Sequence, residues 1–254
     1  MSHVSGKTII ITGASRGIGE ATARHLAEAG GKVVLAARSE SSISRIAEEI
    51  TAAGGQAIAQ ACDVADAAQV KALIDRAAAK FGGLDVLVNN AGLIDPIARL
   101  EESDPDEWST IVDVNLKGVY YGMRFGIPAM AGSGTVINIS SGAATGALEG
   151  WSHYCATKAA VLSLTKCGHK EHGEQGITVV GLSPGTVATE MQVQIKASGI
   201  NPVSQLDPSV HIPAEWVAQG IAYLCGPGGA EYAGGDFSMK TPEGRAALGL
   251  PAPG

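Results

Sequence analysis

Short apolar runs and longer amphipathic stretches alternate along this chain almost without a break. Thr8-Ile-Ile-Ile-Thr12 is apolar at consecutive positions and runs into glycine, the pattern of a strand buried on both faces that feeds a turn. Ile18 to Ala29 has helical periodicity and stops at Gly30-Gly31. Lys32 to Ala37 predicts a second strand, Ser41 to Ala53 a helix closed by Gly54-Gly55, and Ala57 to Ala61 a third strand. Ala67 to Lys80 predicts a helix ended by Phe81-Gly82-Gly83, and Asp85 to Asn89 a fourth strand. A helical region is expected after Trp108, a fifth strand from Gly134 to Ser140, and a long helix from Ser152 to Glu171. Ile177 to Leu182 predicts a sixth strand, Trp216 to Leu224 a helix, and Asp236 to Met239 a weak seventh strand.

Repeated βα units at this spacing imply an α/β fold. The expected form is a Rossmann-type, doubly wound parallel sheet in a three-layer αβα arrangement, one domain over residues 1–254. The least regular stretch, 185–213, is rich in polar and Pro punctuation and is expected to be an irregular insertion at the carboxyl ends of the strands, placed to act as a substrate lid.

Composition narrows the function. The chain of 254 residues carries a net charge of −7, which argues against a general nucleic-acid binder because phosphate neutralisation needs clustered Lys and Arg. Cys62, Cys155, Cys167 and Cys225 form no CxxC pair and no framework spacing, which fits a reducing compartment. Residues 1–7 are too short and polar for a signal peptide, and no apolar run reaches the roughly 18 residues of a membrane span. The expectation is a soluble cytoplasmic protein with no membrane partner.

Chemistry enters at the first turn. Thr12-Gly13-Ala-Ser15-Arg16-Gly17-Ile18-Gly19 joins the first strand to the first helix. Glycines there permit a tight turn, close approach of backbone to a pyrophosphate, and close packing of helix on sheet, while the helix start offers free N–H groups. After the second strand, an NAD site places a carboxylate for the ribose hydroxyls. This chain has Arg38-Ser39 instead, and Arg38 together with Arg16 supplies guanidinium groups suited to a 2′-phosphate. The cofactor expected is NADP(H) rather than NAD(H).

Tyr154-Cys-Ala-Thr-Lys158 sets a phenol and an ammonium four residues apart, on one helix face. A free phenol titrates near pH ~10, and an adjacent ammonium is expected to lower that and make a better acid and base.

Taken together, Thr12 to Gly19, Asn89-Asn90-Ala91-Gly92, Asn115, Ser141, Tyr154, Lys158 and Pro184-Gly185 occur in an order and spacing that resembles the short-chain dehydrogenase/reductase family. The resemblance covers Lys7 to about Met239. It implies that Ser141 hydrogen-bonds the substrate carbonyl, that Tyr154 gives and takes the proton, and that Lys158 binds the nicotinamide ribose and favours ionisation of Tyr154. Asn115 is implied to hold a water in a proton path from Lys158. Asp63 and Val64 are implied to flank the adenine, and Asn90, with Ala91 and Gly92, to lie along the adenosine. Val187 and Thr189, after Pro184-Gly185, are implied to contact the carboxamide. Ser140 adjoins the catalytic position, but the spacing to Tyr154 favours Ser141.

The segments Ser140 to Ala144, Gly150-Trp151 and Thr189 to Gln192 are similar to the sepiapterin and benzil reductase branch, which implies reduction of a ketone or diketone with Trp151 walling the pocket. Family members are commonly dimers or tetramers, and Ala156, Ala159 and Ala160 make a small-residue face that permits close packing. His169 and His172, three apart, are read as a solvated helix end, no metal being expected, and His153 as without a catalytic role. Two competing classes are weaker. A nucleotide sensor without turnover has no need of Ser141, Tyr154 and Lys158, and a serine hydrolase needs a Gly-x-Ser-x-Gly elbow that is absent.

Overall fold

The computed structural model describes residues 3–253. Seven strands form one parallel sheet, β1 (Thr8–Thr12), β2 (Lys32–Ala37), β3 (Gln56–Ala61), β4 (Val86–Asn89), β5 (Gly134–Ile139), β6 (Ile177–Ser183) and β7 (Asp236–Ser238), in the order β3-β2-β1-β4-β5-β6-β7. The order reverses direction between β1 and β4. Loops that leave the carboxyl ends on either side of that point diverge and open a crevice, where ligands bind in open α/β sheets.

Consecutive apolar residues of the strands serve opposite faces. Ile9, Ile11, Val33 and Leu35 pack with α1 (Gly17–Glu28), α2 (Glu40–Ala52) and α8 (Ala214–Leu224). Ile10, Val34, Leu87 and Val136 pack with α3 (Ala67–Phe81), α5 (Gly118–Ala129) and α6 (Ser152–His172). This explains why β1 reads as an unbroken apolar run: all five of its residues are buried. A smaller third cluster, with Ile94, Ala143, Trp151, Tyr154 and Ile195 at its centre, lies apart from the other two and contains the candidate catalytic tyrosine.

Local signals account for most element boundaries. Asp66 caps α3 by accepting from the backbone N–H groups of Ala68 and Gln69, and Gly82 ends it at φ 92°. Asp104 caps α4 (Pro105–Val112) in the same way, with Pro105 opening the helix. The helical region expected after Trp108 therefore starts three residues earlier. It continues as a π-helical turn over Asp113–Lys117 before α5.

The stretch 185–213 corrects an expectation. It is not irregular: α7 (Glu190–Ser198) and two short 3₁₀ turns occupy it, and Val187 bridges Ile212 in parallel pairing. The sequence hid this helix because only Ile195 of α7 is buried, too little for a periodic apolar stripe. The short helices α9 (Pro227–Glu231) and α10 (Pro242–Ala247) also lie beyond the expected elements. Among the described residues, no helix is long and apolar enough to cross a membrane.

Candidate active site

The turn after β1 is built against the turn after β4. Thr12 Oγ1 accepts the backbone N–H groups of Asn90 (3.0 Å) and Ala91 (3.1 Å), and Asn90 Nδ2 donates to the carbonyls of Thr12 (2.8 Å) and Gly13 (3.2 Å). A Cβ on Gly13, which has φ +66°, would stand 2.8 Å from the Ala91 Cα, and one on Gly19 would stand 2.2 Å from the Gly13 carbonyl oxygen. A Cβ on Gly17 would meet Thr189 Cγ2 at 3.2 Å, so this turn also reaches the loop that follows β6. Glycine at these positions is what lets three loops close on one another. Asn90 thus does structural work that its assignment to the adenosine did not foresee, and Thr12 is its unforeseen partner.

The start of α1 lacks a side-chain cap, as do those of α2 and α8 beside it. Arg16 sits at its N-cap with no side-chain cap, whereas α3 and α4 have Asp caps. Arg16 and Arg38 are exposed, and among the described residues neither is in an ion pair, while Arg24 and Arg45 on the adjoining helices pair with Glu20 and Glu49. Ser39 caps α2 without a side-chain bond and hydrogen-bonds Ser42 Oγ at 2.8 Å. Ser15 is half-buried in the turn, and the half-buried Ile18 packs α1 onto the core. An uncapped helix start beneath glycines, flanked by two unpaired guanidiniums, matches the donor set that a dinucleotide phosphate requires.

Further along the crevice, Asp63 accepts from Ala65 N (3.0 Å) and the buried Val64 packs against Gly118. Gly92 lies beside Asn115, where a Cβ would come within 3.5 Å of Asn115 Oδ1. Asn115 is fully buried in the π-helical turn and grips both backbone groups of Leu93, accepting from its N–H at 2.8 Å and donating to its carbonyl at 2.9 Å. Such turns are frequent at functional sites because they displace one residue out of the helical ladder. After Pro184, Gly185 (φ +83°) lies under the stem of Lys240, Val187 is buried in its bridge, and Thr189 starts α7 with its hydroxyl on the Val187 carbonyl at 3.2 Å.

The catalytic candidates meet at the start of α6. Ser141 Oγ accepts from Ala143 N at 3.1 Å, which sets a 3₁₀ turn, and the Ser141 hydroxyl lies near enough to the Tyr154 phenol to pull its pKa down. Trp151 packs edge-on against Tyr154, with ring centroids 5.5 Å apart at 74°. Ile94, Leu148, Met191 and Ile195 complete an apolar surround. Lys158 is buried one turn on, with Nζ 5.5 Å from the Tyr154 ring centroid and donating to the Ile139 carbonyl at 2.7 Å.

Electrostatics here departs from the expectation. Burial pushes the Tyr154 phenol up to about 12, with the Ser141 hydrogen bond pulling the other way. Burial likewise brings Lys158 down to about 8, against an upward pull from Asp236. Ser140, by contrast with Ser141, is turned away from Tyr154 toward Asp236.

The histidines play other parts. His153 is buried with Nε2 2.6 Å from the Ile94 carbonyl oxygen. His169 is not simply solvated, since its ring packs on Gly173 and Gly234. Among the described residues, no group of three or more His, Cys, Asp or Glu side chains is arranged to hold a metal. A shallow groove of about 390 Å³ opens beside α6, and its lining includes Cys155 and Ser152 but neither Ser141 nor Tyr154.

Comparison with known proteins agrees with this geometry. The short chain dehydrogenase profile matches residues 7–199. A 3-oxoacyl-[acyl-carrier-protein] reductase of Staphylococcus aureus is 41% identical over 190 residues, which cover 73% of this chain and 76% of that one. Cyclohexanol dehydrogenase of an Acinetobacter species is 32% identical over 225 residues, covering 87% and 88%. A short chain dehydrogenase from Burkholderia cenocepacia, solved in complex with NADP, superposes with a TM-score of 0.82 at 31% identity, covering 93% of this chain and 97% of that one. With a family profile matched over residues 7–199 and relatives named as a reductase and a dehydrogenase, the chain belongs to the short-chain dehydrogenase family of oxidoreductases.

Proposed function

We propose that this protein reduces ketones with NADPH, and oxidises the corresponding secondary alcohols with NADP, using Tyr154 as the acid and base. The observation that carries the reading is the convergence of the Ser141 and Tyr154 hydroxyls in a buried, apolar pocket with Lys158 one helical turn behind. When bound, the nicotinamide supplies or accepts the hydride, and the side chains do the rest.

Burial keeps the phenol protonated at neutral pH, so the resting protein holds a proton donor ready for a carbonyl oxygen. Ser141 adds a second donor aimed at the same oxygen, and together they meet the negative charge that develops there. Lys158 is the ammonium nearest the ring and favours the phenolate left after the proton departs. Arg16 and Arg38 are free to bind a 2′-phosphate, and the uncapped start of α1 to bind the pyrophosphate. Asn115 holds the Leu93 backbone, and with it the floor of the crevice.

The substrate class follows from the surround. Trp151, Leu148, Met191 and Ile195 suit a flat or cyclic apolar ketone or diketone. A relative named as a cyclohexanol dehydrogenase falls within that range. Self-association as a homodimer or homotetramer belongs to the same reading, and Ala156 and Ala159 do present small exposed side chains on α6.

The test follows loss of reduced-nicotinamide absorbance with NADPH or NADH against vicinal diketones, aryl ketones, cyclohexanone, aldehydes and acyl thioesters. NADPH-selective turnover of a ketone is expected. Tight NADPH binding without turnover of any of these would contradict the reading.

A further inference from the structure

Across the catalytic half of the sheet, register pairs Asn89 with Asn138, Asn138 with Gly181, and Gly181 with Asp236, so the four share one face, the face that α6 covers. Three of the four are polar in an otherwise apolar layer. The two asparagines are satisfied: Asn89 Nδ2 donates to Asn138 Oδ1 at 2.9 Å, and Asn138 Nδ2 donates to Thr165 Oγ1 at 2.9 Å. Asp236 is not. Its carboxylate lies over Gly181, where a Cβ would come 2.3 Å from Oδ1, and Oδ1 is buried without a hydrogen-bond partner among the described residues.

Ser140 Oγ, two residues beyond Asn138 and on the same face, is a second buried atom without a full hydrogen bond. It faces the Asp236 carboxyl closely enough to pull it down, though the geometry does not close. Lys158 hydrogen-bonds the carbonyl of Ile139, the residue next to Ser140. A carboxyl, a hydroxyl and an ammonium therefore converge beneath Tyr154, and the mechanism above employs only the ammonium. Buried polar atoms left unpaired are costly, and where they persist they call for a reason.

We propose that Asp236, admitted by Gly181 and steered by Ser140, is a positioning residue that sets the charged surroundings of Lys158 beside Tyr154. This rests on the reading of Lys158 as part of the catalytic apparatus. The side chains acting on this carboxyl are Ser140, just beyond β5, and Lys158 from α6, while Gly181 from β6 faces it without a side chain. Lys240, beyond β7, is exposed and runs outward over Gly185 toward Gly142.

The titration of the pair has the right sense. Burial raises Asp236 to about 6, so at neutral pH it is charged, and its charge raises Lys158 against the burial that brings the lysine to about 8. Removing the charge sends Lys158 lower still.

The test uses the full chain without cofactor. Lysine side-chain NMR, with Lys158 assigned by its loss in Lys158→Met, gives the midpoint directly. Asp236→Asn is expected to lower that midpoint by about one pH unit, the low end for an opposite charge nearby, since no direct ion pair closes. Gly181→Ala evicts the carboxylate by crowding and is expected to move it the same way, which keeps the test alive if Asp236→Asn does not fold. An unchanged midpoint in the folded variants overturns the proposal. In activity, the alkaline limb of NADPH-dependent ketone reduction should move down with the midpoint. If Tyr154→Phe kept full turnover while Lys158 shifted as expected, the catalytic reading would fall and the charge coupling would stand.

Discussion

The two halves of the sheet handle charge in opposite ways. At the ends of β1 and β2, Arg16 and Arg38 stand exposed and, among the described residues, unpaired, beside paired arginines on the helices that follow. At the ends of β5 and β7, Tyr154, Lys158 and Asp236 are drawn into a buried layer, and burial is the largest influence on each. Exposed guanidiniums keep their charge at any working pH and wait for a multiply charged ligand, which is what selection between phosphorylated and plain dinucleotides needs. Buried titratable groups have protonation states set by their neighbours, which is what proton transfer needs. On the proposed function, one half selects the cofactor and the other reacts.

The sharpest way to break that division is Tyr154→Phe. It is expected to lower kcat by about 10²–10⁴-fold, the usual worth of a positioned acid–base, with NADPH binding retained in a fluorescence titration. Arg38→Asp comes next: NADPH affinity should fall by about 10–100-fold, the worth of a charge-assisted hydrogen bond, with NADH much less affected. Equal losses for the two cofactors would remove the phosphate argument.

Asp236→Asn probes the other half through stability. Between the ordinary carboxylate range and about pH 6, the unfolded chain gives up this proton while the folded chain keeps it, so stability falls across that window and stays lowered above it. The variant should therefore melt higher above pH 6, by about 2–4 °C, and show no gain below pH 4. A loss of stability at neutral pH would mean the carboxylate helps hold the fold. The smallest effect is expected from Arg45→Ala, which breaks an exposed pair with Glu49: the melting temperature should barely move, and NADPH affinity stays put.

What could be read in the chain was local. The glycine turn declared itself because positive φ at Gly13 and Gly17, and a helix packed against the turn at Gly19, leave no room for other residues within a few positions of one another. Tyr154 and Lys158 were legible because one helical turn separates them. Asp236 was not, since what gives it meaning is a register pairing with Gly181, 55 positions earlier in the chain. The grip of Asn115 on Leu93 was hidden for the same reason, as it depends on a π-helical turn that no periodicity announces. The α4 start was legible in principle, since Asp104-Pro105-Asp106-Glu107 is a cap followed by a first-turn proline and two acids. The phenol expected to be lowered by the Tyr–Lys spacing is instead raised, because burial, which spacing does not announce, is the larger influence.

The central claim is that Tyr154 protonates a carbonyl as hydride arrives on its carbon. The most direct measurement supplies NADPH deuterated at the transferring C4 position, with the best ketone of the panel, and follows the label by mass spectrometry. The account predicts deuterium on the carbinol carbon of the alcohol with the native protein and at most a trace with Tyr154→Phe. NADPH consumption that leaves the alcohol unlabelled, or full labelling by Tyr154→Phe, would contradict it.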